Sequence, residues 1–363
     1  MMQEHDLQEL AELVSNEAPF TSLYLSVDAH RRSSDEYKLA LRQMLNQAAE
    51  WGAAAADVER IERYFGHEYG RQGRGVACFS CSAIDYWRAH VLLAPVDDMV
   101  FVGMRPYVKP LSDLWDTFDR FGVVMVDREG ARAFIYHLGA LEDSGGTLGQ
   151  EVKRHKQGGW AAQKFQRSED QDARYNLKEA AQWADAFLRR LDVKRVVLSG
   201  SDGNLAQFRE ELPRPLLDKV VGQISLDMNA SPGQVWERAF EVAAAAQQKA
   251  ETELLEQVVT LAHKGGAGAL GLADTLNALQ QGRVHQVLVE RNFHSPGLQC
   301  NDCHAVVIEP VNSCPYCSGE MRRSADVVNL AVQHAIGTGL KVSVLAPHPK
   351  LAEIGHIAAV LRY

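Results

Sequence analysis

The fold class follows from residues 121–138, which read FGVVMVDREGARAFIYHL. Phe121–Asp127 is an unbroken apolar run that ends in an acid, and this pattern is typical of a buried strand. The pair Glu129-Gly130 predicts a tight turn, and Ala131–Leu138 predicts the strand that returns from it. The stretch therefore predicts a β-hairpin whose first strand is buried.

The chain beyond the hairpin extends the same sheet. A helix is predicted over residues 172–191, and Arg195–Ser199 (RVVLS) has the pattern of another buried strand. Gly200–Gly203 is predicted as the loop after that strand, and Gln234–Glu256 as a long alanine-rich helix. Because a strand, a helix and a strand in this order make parallel neighbours, the pattern predicts a partly parallel α/β sheet.

Two further α/β patterns flank this central one. The N-terminal pattern comprises predicted helices at residues 7–14, 34–51 and 57–69, a strand at 21–28 and several short strands within 74–107. The C-terminal pattern comprises helices at 272–279 and 325–338 and strands at 286–290, 341–346 and 357–363, with a cysteine-rich insert at 296–323. The sequence therefore predicts an α/β protein with three domains, at residues 1–113, 114–252 and 253–363.

Composition and charge exclude several classes of protein. The chain has 363 residues, of which 46% are hydrophobic, and no window approaches about 20 continuous apolar residues, which excludes an integral membrane protein. The opening MMQEHDLQELAELV is acidic and lacks the basic region of a secretory signal, so we expect a cytoplasmic protein. The net charge of −9 argues against non-specific coating of nucleic acid, and residues 1–70 alone carry 13 acidic against 6 basic residues.

One segment has the opposite charge. Residues 153–167, KRHKQGGWAAQKFQR, carry five Lys or Arg and no acid. Adjacent glycines allow close approach of a partner, while cations beside Trp160 and Phe165 offer phosphate contacts and a stacking surface. A flexible, solvated loop has the same composition, so both interpretations stay open on composition alone. The candidate contacts to a polyanion are Lys153, Arg154, Lys156, Gly158, Gly159, Trp160, Lys164 and Arg167.

The six cysteines form three C-x-x-C pairs. Cys78 and Cys81 lie in a strand-like run, which places them on opposite faces and predicts two unrelated thiols. The other pairs stand ten residues apart in CNDCHAVVIEPVNSCPYC and are Cys300, Cys303, Cys314 and Cys317. Two such turns complete a tetrahedral four-thiolate site with no open position, so the spacing predicts one structural zinc ion per chain. Four packed thiols in a reducing cell are the alternative.

Several of these segments resemble, in the correct order, the family of class-1 peptide release factors of eukaryotes and archaea and of the rescue factor Pelota. FGVVMVDREGARAFIYHLG is similar to the first hairpin of the family's central domain, and GGWAAQKFQR is similar to its Gly-Gly-Gln loop region. GLADTLNALQQGRVHQVLV resembles the third-domain signature, HIAAVLRY resembles the C-terminal strand, and archaeal members carry a similar four-cysteine insert. The resemblance covers most of residues 118–363. The N-terminal domain, through TSLYLSVD, resembles only the bacterial branch of the superfamily.

The resemblance implies a small N-terminal α/β domain, a central RNase H-like α/β domain and a C-terminal α/β/α domain with an inserted zinc ribbon. It also implies a protein that occupies the ribosomal A site in the shape of a tRNA, against ribosomal RNA and the P-site tRNA. In the release factors, the Gln after Gly-Gly helps to place a water against the peptidyl-tRNA ester. That position is Trp160 here, and an indole cannot orient water in the same manner. Gln163 lies three residues further on, within about 5 Å along a helix, and is the candidate catalytic residue.

Two functions remain open on this resemblance. The sequence contains no element like the family's stop-codon readers, and the two N-terminal helices are joined by GAAAAD, so stop-codon-dependent termination is not expected. The first function is a non-catalytic A-site-binding factor in ribosome hibernation or rescue, similar to Pelota or to the hibernation factor Balon. The second is a peptidyl-tRNA hydrolase that frees nascent chains from stalled ribosomes through Gln163. A bacterial setting favours the first, and delivery by a translational GTPase such as elongation factor Tu stays open.

Overall fold

The structure is a computed structural model that describes residues 4–149 and 160–363, with side chains described for residues 5–149 and 171–363. The helices are α1 (Glu4–Glu12), α2 (Ser34–Glu50), α3 (Ala55–Arg63), α4 (Lys109–Thr117), α5 (Trp160–Arg189), α6 (Asp202–Glu211), α7 (Arg214–Leu217), α8 (Pro232–His263), α9 (Gly271–Gln280), α10 (Val327–Gly337) and α11 (Pro349–Glu353). The strands are β1 (Phe20–Ser26), β2 (Gly75–Cys81), β3 (Tyr86–Leu92), β4 (Met99–Gly103), β5 (Phe121–Val126), β6 (Gly130–His137), β7 (Ala140–Leu148), β8 (Arg195–Ser199), β9 (Val220–Ile224), β10 (Gly268–Leu270), β11 (Val284–Glu290), β12 (Gly297–Cys300), β13 (Val306–Val307), β14 (Met321–Ser324), β15 (Lys341–Leu345) and β16 (Ile357–Leu361).

The chain forms two compact units. The central unit comprises residues 118–250, and the composite unit comprises residues 4–117 together with residues 251–363. The central unit contains one five-stranded sheet in the order β7-β6-β5-β8-β9. Its first three strands are antiparallel, while β8 and β9 are added parallel to β5. The partly parallel sheet is therefore confirmed, and its arrangement is the RNase H-like one that the resemblance implies.

Helices cover both faces of the central sheet because β5 and β6 are apolar on both sides. Val124 and Val126 face the core that α5 and α6 share, while Phe121 and Val123 face α8. Three of the six buried α5 residues in this core are alanines, namely Ala180, Ala181 and Ala184. Small side chains let a helix axis lie close to a sheet, and this close packing fixes the position of the helix that follows the Gly-Gly segment.

The N-terminal part of the composite unit is an antiparallel sheet in the order β3-β2-β1-β4, covered on one face by α2 and α3. Ser33 and Glu36 form a capping box that starts α2. Cys78 is buried in the core under these helices, whereas the Sγ of Cys81 lies 3.5 Å from the carbonyl oxygen of Ala18. The two thiols therefore have different surroundings, as the strand pattern predicts.

The C-terminal part of the composite unit has a second sheet in the order β10-β16-β11-β15, in which β15 runs parallel to β11. Leu255 and Val258, near the end of α8, pack on one face of this sheet against Leu288 and Leu345. A small three-stranded sheet, in the order β13-β12-β14, is inserted between β11 and α10 and carries the four clustered cysteines. The predicted insert at residues 296–323 thus has its own sheet.

Strand β7 is absent from the sequence prediction because its sequence, ALEDSGGTL, has the composition of a turn. In the structure these glycines lie within a paired strand. A Cβ added at Gly145 would lie 3.1 Å from the ring of Trp183 and 3.2 Å from that of Phe187, both on α5. A side chain at this position would crowd two aromatic rings of α5, and the local sequence does not show this constraint.

Two helix starts also differ from prediction. α5 begins at Trp160 rather than at Asp172, so the helix continues back to the Gly-Gly pair. α6 begins at Asp202, inside the segment predicted as a loop, because the Ser201 hydroxyl accepts the N–H of Asn204 at 3.4 Å and caps a new helix.

The three-domain division stays a prediction. The sheets of residues 4–117 and 251–363 are separate, as that division requires, while the two segments together make one compact unit. None of the helices in the described part of the chain combines the length and the apolar character needed to cross a membrane.

Candidate functional site

The Gly-Gly segment connects β7 to α5. Lys153, Arg154, Lys156, Gly158 and Gly159 lie outside the described residues. The other candidates in the segment, Trp160, Gln163, Lys164 and Arg167, occupy the first two turns of α5, where the backbone alone is described. Their spacing of three, four and seven residues is that of positions along one side of a helix. The roles of all these residues stay predictions.

The two chain segments that flank the loop meet at the turn between β5 and β6. On the strand side, the N–H of Gly149 donates to the carbonyl of Glu129 at 2.6 Å. On the helix side, the buried Asn176 of α5 donates through Nδ2 to the carbonyl of Arg128 at 3.1 Å. A Cβ added at Gly149 would lie only 2.1 Å from Oδ1 of Asn176, so the two segments are in close contact. The turn is therefore bonded to the residue that follows β7 and to the middle of α5.

Asp127 organises this turn. Its Oδ1 accepts the N–H groups of Glu129 at 2.8 Å and of Gly130 at 2.9 Å. At Gly130 an added Cβ would lie 2.1 Å from the carbonyl oxygen of Thr147 on β7, so a side chain would push the two strands apart. The acid at the end of β5 and the glycine after it thus hold the strand side of the loop.

The four clustered cysteines form two equivalent turns. The N–H of Cys300 donates to the carbonyl of Ala305 at 2.8 Å, and the N–H of Cys314 donates to the carbonyl of Gly319 at 2.9 Å. In both turns the acceptor residue lies five positions after the donor residue. The residue after the second cysteine of each turn is left-handed, with φ of 59° at His304 and 63° at Ser318. The two C-x-x-C segments therefore have the same backbone geometry, as a paired metal site requires.

The sulfur positions fit one tetrahedral metal ion. The Sγ atoms of Cys300, Cys303, Cys314 and Cys317 all lie within 4.8 Å of one another. The Sγ distances are 3.4 Å between Cys300 and Cys317 and 3.5 Å between Cys303 and Cys314. A tetrahedron with metal–sulfur bonds of about 2.3 Å has edges of about 3.8 Å, a value between these two distances and the 4.8 Å limit. The cluster could therefore hold a metal ion, and no other cluster of this kind occurs among the described residues.

Backbone N–H groups favour the ionised form of one of these thiols. Burial disfavours the thiolate of Cys314, but the N–H groups of Tyr316 and Cys317 lower the pKa of this thiol to about 7. The N–H of Tyr316 lies 3.4 Å from the Cys314 sulfur. Because thiolates are the metal ligands, this arrangement suits metal binding.

A polar seam joins the two halves of the composite unit and was not predicted from sequence. Oδ1 of Asn329, on α10, accepts the N–H groups of Val108 at 3.0 Å and of Lys109 at 3.2 Å, at the start of α4. The Tyr107 hydroxyl donates to Asp326 at 3.0 Å. All five of these side chains are nearly inaccessible to solvent. The only sequence signal is polar residues, Asp326 and Asn329, at the start of an otherwise apolar helix.

Three arginines are among the residues that line a cavity of about 260 Å³ in the composite unit. Arg105 follows β4, while Arg322 and Arg323 lie on β14 beside the cysteine cluster. Asp326 also lines this cavity. In the sequence, the only sign of this cavity is the adjacent pair Arg322-Arg323. Arg105 lies more than 200 residues earlier, so the sequence does not show that it lines the same cavity.

Comparison with known proteins finds a family model that is similar to the middle of the chain. The model of the bacterial archaeo-eukaryotic release factor family 10 matches residues 106–244. The eukaryotic peptide chain release factor subunit 1 of Dictyostelium discoideum is 26% identical over 200 residues, which cover 50% of this chain and 43% of that protein. The peptide chain release factor subunit 1 of Thermococcus sibiricus is 20% identical over 285 residues, which cover 70% of this chain and 69% of that protein. The first three curated relatives are covered over 43%, 64% and 45% of their lengths, about half on average.

Solved structures of the same families align along the chain. The crystal structure of the archaeal translation termination factor aRF1 is 16% identical, covers 100% of this chain and 99% of that chain, and has a TM-score of 0.30. The crystal structure of Archaeoglobus fulgidus Pelota is 12% identical, covers 99% and 92%, and has a TM-score of 0.36. By the family model over residues 106–244 and by the sequence relatives, this chain is similar to the archaeo-eukaryotic peptide chain release factors.

Proposed function

We propose that the protein is a translation factor of the release-factor and Pelota type that binds in the ribosomal A site during hibernation or rescue, without reading stop codons. One observation carries the proposal: the release-factor family match spans residues 106–244, which include the whole five-stranded sheet and the basic Gly-Gly segment. The cytoplasm is the expected location of such a factor.

The contacts made by the residues on either side of the Gly-Gly segment support its proposed role as a contact surface for RNA. Both flanking segments are bonded to the turn at residues 127–130, and α5 is packed along the sheet. Binding residues are often carried by segments that a rigid scaffold positions. We propose that Lys153, Arg154, Lys156, Lys164 and Arg167 contact phosphates of ribosomal RNA or P-site tRNA there, with Gly158, Gly159 and Trp160 at the point of closest approach.

Peptidyl-tRNA hydrolysis through Gln163 is the alternative function. The continuation of α5 back to Trp160 puts Gln163 one turn into a helix, about 5 Å from the position that directly follows Gly-Gly. In this version Gln163 would orient the attacking water, so catalysis would depend on placement of that water rather than on a covalent nucleophile.

We also propose that the ion held by Cys300, Cys303, Cys314 and Cys317 is zinc. Four thiolates in tetrahedral geometry select zinc in a structural site with no open position, so the ion would stabilise the insert and take no part in the reaction. A structure of yeast Dom34 among those that align with this chain is described as interacting with Hbs1, and another is described as a model of ribosome-bound archaeal Pelota and ABCE1. These names support the ribosome as the partner of this chain and make a translational GTPase, such as elongation factor Tu, a candidate for its delivery.

A single-turnover assay separates the two functions. Ribosomes that carry peptidyl-tRNA in the P site and an empty A site are mixed with the protein, and co-sedimentation and peptide release are measured together. Wild type is compared with Gln163→Ala and with a triple charge reversal, Lys153→Glu, Arg154→Glu and Lys156→Glu. The matched control reverses three exposed charges on α2 and α3, Lys38→Glu, Arg42→Glu and Arg63→Glu.

Binding without release, lost in the loop triple variant and kept in the control, is the result expected for the proposed factor. Release that disappears in Gln163→Ala while binding persists would establish the hydrolase instead. Absence of binding in the wild type would refute both functions. An equal loss in the loop and control variants would refute the assignment of the loop as the contact surface.

A further inference from the structure

A cavity of about 320 Å³ lies between α9 and the cysteine-rich insert of the composite unit, and we call it the α9 groove. One wall is a face of α9 formed by residues 273, 274, 276 and 277, whose spacing is that of neighbouring positions on a helix. The other wall is formed by residues 306–309 and by Pro315 and Tyr316, which lie between the last two cysteines of the insert. The hydroxyl of Tyr316 donates to Oδ1 of Asn277 at 3.1 Å and links the two walls.

The groove runs along the edge of a strand. Among the described strands β13 pairs with β12 alone, so its other edge is not part of a sheet ladder. Val306 and Val307 both line the groove, although consecutive side chains of a strand point to opposite faces. The groove therefore passes the edge of the strand itself, and a strand edge presents backbone N–H and C=O groups to a further strand.

Two large apolar side chains of the groove are exposed to solvent. Ile308 is 37% exposed and Tyr316 is 46% exposed. Single exposed apolar side chains are common on protein surfaces and need no explanation, whereas two that line the same concave surface are typical of a contact site. The groove therefore offers an apolar side chain of a partner a place where it can be buried.

The charged residues that line the groove have one sign. They are Asp274 on α9 and Glu309 after β13, and neither carboxylate has a hydrogen bond or an ion pair within the described part of the chain. No Lys, Arg or His is among the described residues that line the groove. A cation next to an apolar side chain is complementary to this lining, while the phosphates of a nucleic acid would be repelled.

We propose that the α9 groove binds a short extended segment of a partner protein, which pairs with the open edge of β13 and carries Lys or Arg beside an apolar side chain. When a strand is added to a sheet edge, main-chain hydrogen bonds give affinity and pockets for side chains give specificity. Here the apolar side chain packs on Ile308 and Tyr316, and the cation is attracted by Asp274 and Glu309.

The size of the groove agrees with this occupant. Its volume of about 320 Å³ is near the lower end of the range of about 300–1,000 Å³ for ligand pockets, so it holds a few side chains of a segment rather than the face of a domain. The groove belongs to the composite unit, and the proposal does not depend on the function proposed for the Gly-Gly segment.

The test selects its own probes on the full-length protein. Short random peptides displayed on phage are selected for binding, and the enriched peptides are synthesised with a fluorescent label for anisotropy measurements. The charge variant is Asp274→Asn with Glu309→Gln. Its matched control is Glu59→Gln with Glu62→Gln, which removes the same charge from the exposed side of α3.

A second variant tests the apolar lining. Ile308→Ala is compared with Ile84→Ala, because Ile84 has a similar exposure of 41% and lies outside the groove. Hydrogen exchange with and without bound peptide tests the pairing with β13. Since the side chains changed in the groove are exposed, we expect all variants to keep the melting temperature of the wild type.

We expect the enriched peptides to combine Lys or Arg with an apolar residue. The charge variant should bind them about threefold to tenfold more weakly than wild type and should lose most of the salt dependence of binding. Ile308→Ala should weaken binding about fivefold or more, while both controls stay within about twofold of wild type. Bound peptide should slow the exchange of amides within residues 306–309.

Several outcomes would overturn the proposal. They are the absence of enriched peptides, enrichment of acidic or uncharged peptides, and equal changes in the variants and their controls. Unchanged amide exchange at residues 306–309 in the presence of bound peptide would refute the pairing with β13. Self-association of the wild type in sedimentation, lost in Ile308→Ala, would show that a second copy of the chain occupies the groove instead.

Discussion

Asn329 offers a quantitative test of the seam in the composite unit. Its side chain accepts the N–H groups of Val108 and Lys109 and donates through Nδ2 to the carbonyl of Pro106 at 3.2 Å. The two N–H groups belong to the start of α4, so an amide from a distant part of the chain caps this helix. We expect Asn329→Ala to destabilise the composite unit strongly.

The magnitude follows from the groups left without partners. The Pro106 carbonyl keeps a second hydrogen bond, from Nε2 of Gln333 at 2.6 Å, and is not counted. The N–H groups of Val108 and Lys109 are buried and have no substitute acceptor of comparable geometry. A buried N–H donor without a partner costs about 1–3 kcal/mol, and partial entry of water reduces this cost. For the two N–H groups together, we expect the free energy of unfolding to fall by about 3 kcal/mol. For a unit of this size the melting temperature should fall by roughly 6–12 °C.

Thermal unfolding and hydrogen exchange measure this effect. Exchange of the amides at the start of α4 should accelerate by about two powers of ten if they exchange through local opening. Asn329→Leu fills the space without accepting a hydrogen bond, so we expect it to be no more stable than Asn329→Ala. The control Asn46→Ala, at an exposed site on α2, should change the free energy of unfolding by less than about 0.5 kcal/mol. Recovery of stability in Asn329→Leu would show that packing, and not capping, is the role of this residue.

Two further predictions concern the cysteine cluster and acid stability. Native protein should contain one zinc per chain by elemental analysis, Cys314→Ser should lose it, and Cys81→Ser should retain it; a metal-free native protein would contradict the zinc assignment. Arg120 donates two hydrogen bonds, of 2.7 and 2.9 Å, to Glu142 and lowers the pKa of this carboxyl. The stability that this ion pair contributes is therefore present above about pH 4.3, the pKa of an unfolded Glu, and is lost as the pH falls through the lower pKa of the folded state. The difference in unfolding free energy between wild type and Glu142→Gln should therefore be smaller at low pH than at neutral pH, and an unchanged difference would refute this linkage.

The sequence predicted the structure best for elements whose local pattern alone defines them. The run RVVLS predicts β8 at Arg195–Ser199, and the structure has the same bounds, because a short apolar run in the middle of a sheet has few alternatives. The four cysteines were equally predictable, since their spacing alone defines the two turns that bring the sulfurs together.

Elements that depend on partners distant in sequence were missed. The glycines of β7 indicate a turn locally, but in the structure they pair with β6, and Gly145 lies against Trp183 and Phe187 of α5. In the same way, the capping of α4 by Asn329 could not be predicted, because no local rule connects residues so far apart. The basic segment at residues 153–167 was predictable as a charge pattern, but the arginine cavity depends on tertiary structure.

The division of the composite unit into two chain segments has a consequence for synthesis on the ribosome. The amide of Asn329 and its acceptor site at Lys109 are separated by 220 residues, and the complete central unit is encoded between them. At about 5–20 residues per second, roughly 10–45 s pass between emergence of the first partner and emergence of the second. During that interval α4 lacks its cap and α1 lacks α10, the helix that it packs against. The central unit is contiguous in sequence, so it can fold before the last third of the chain arrives, while the composite unit has to wait for its second segment.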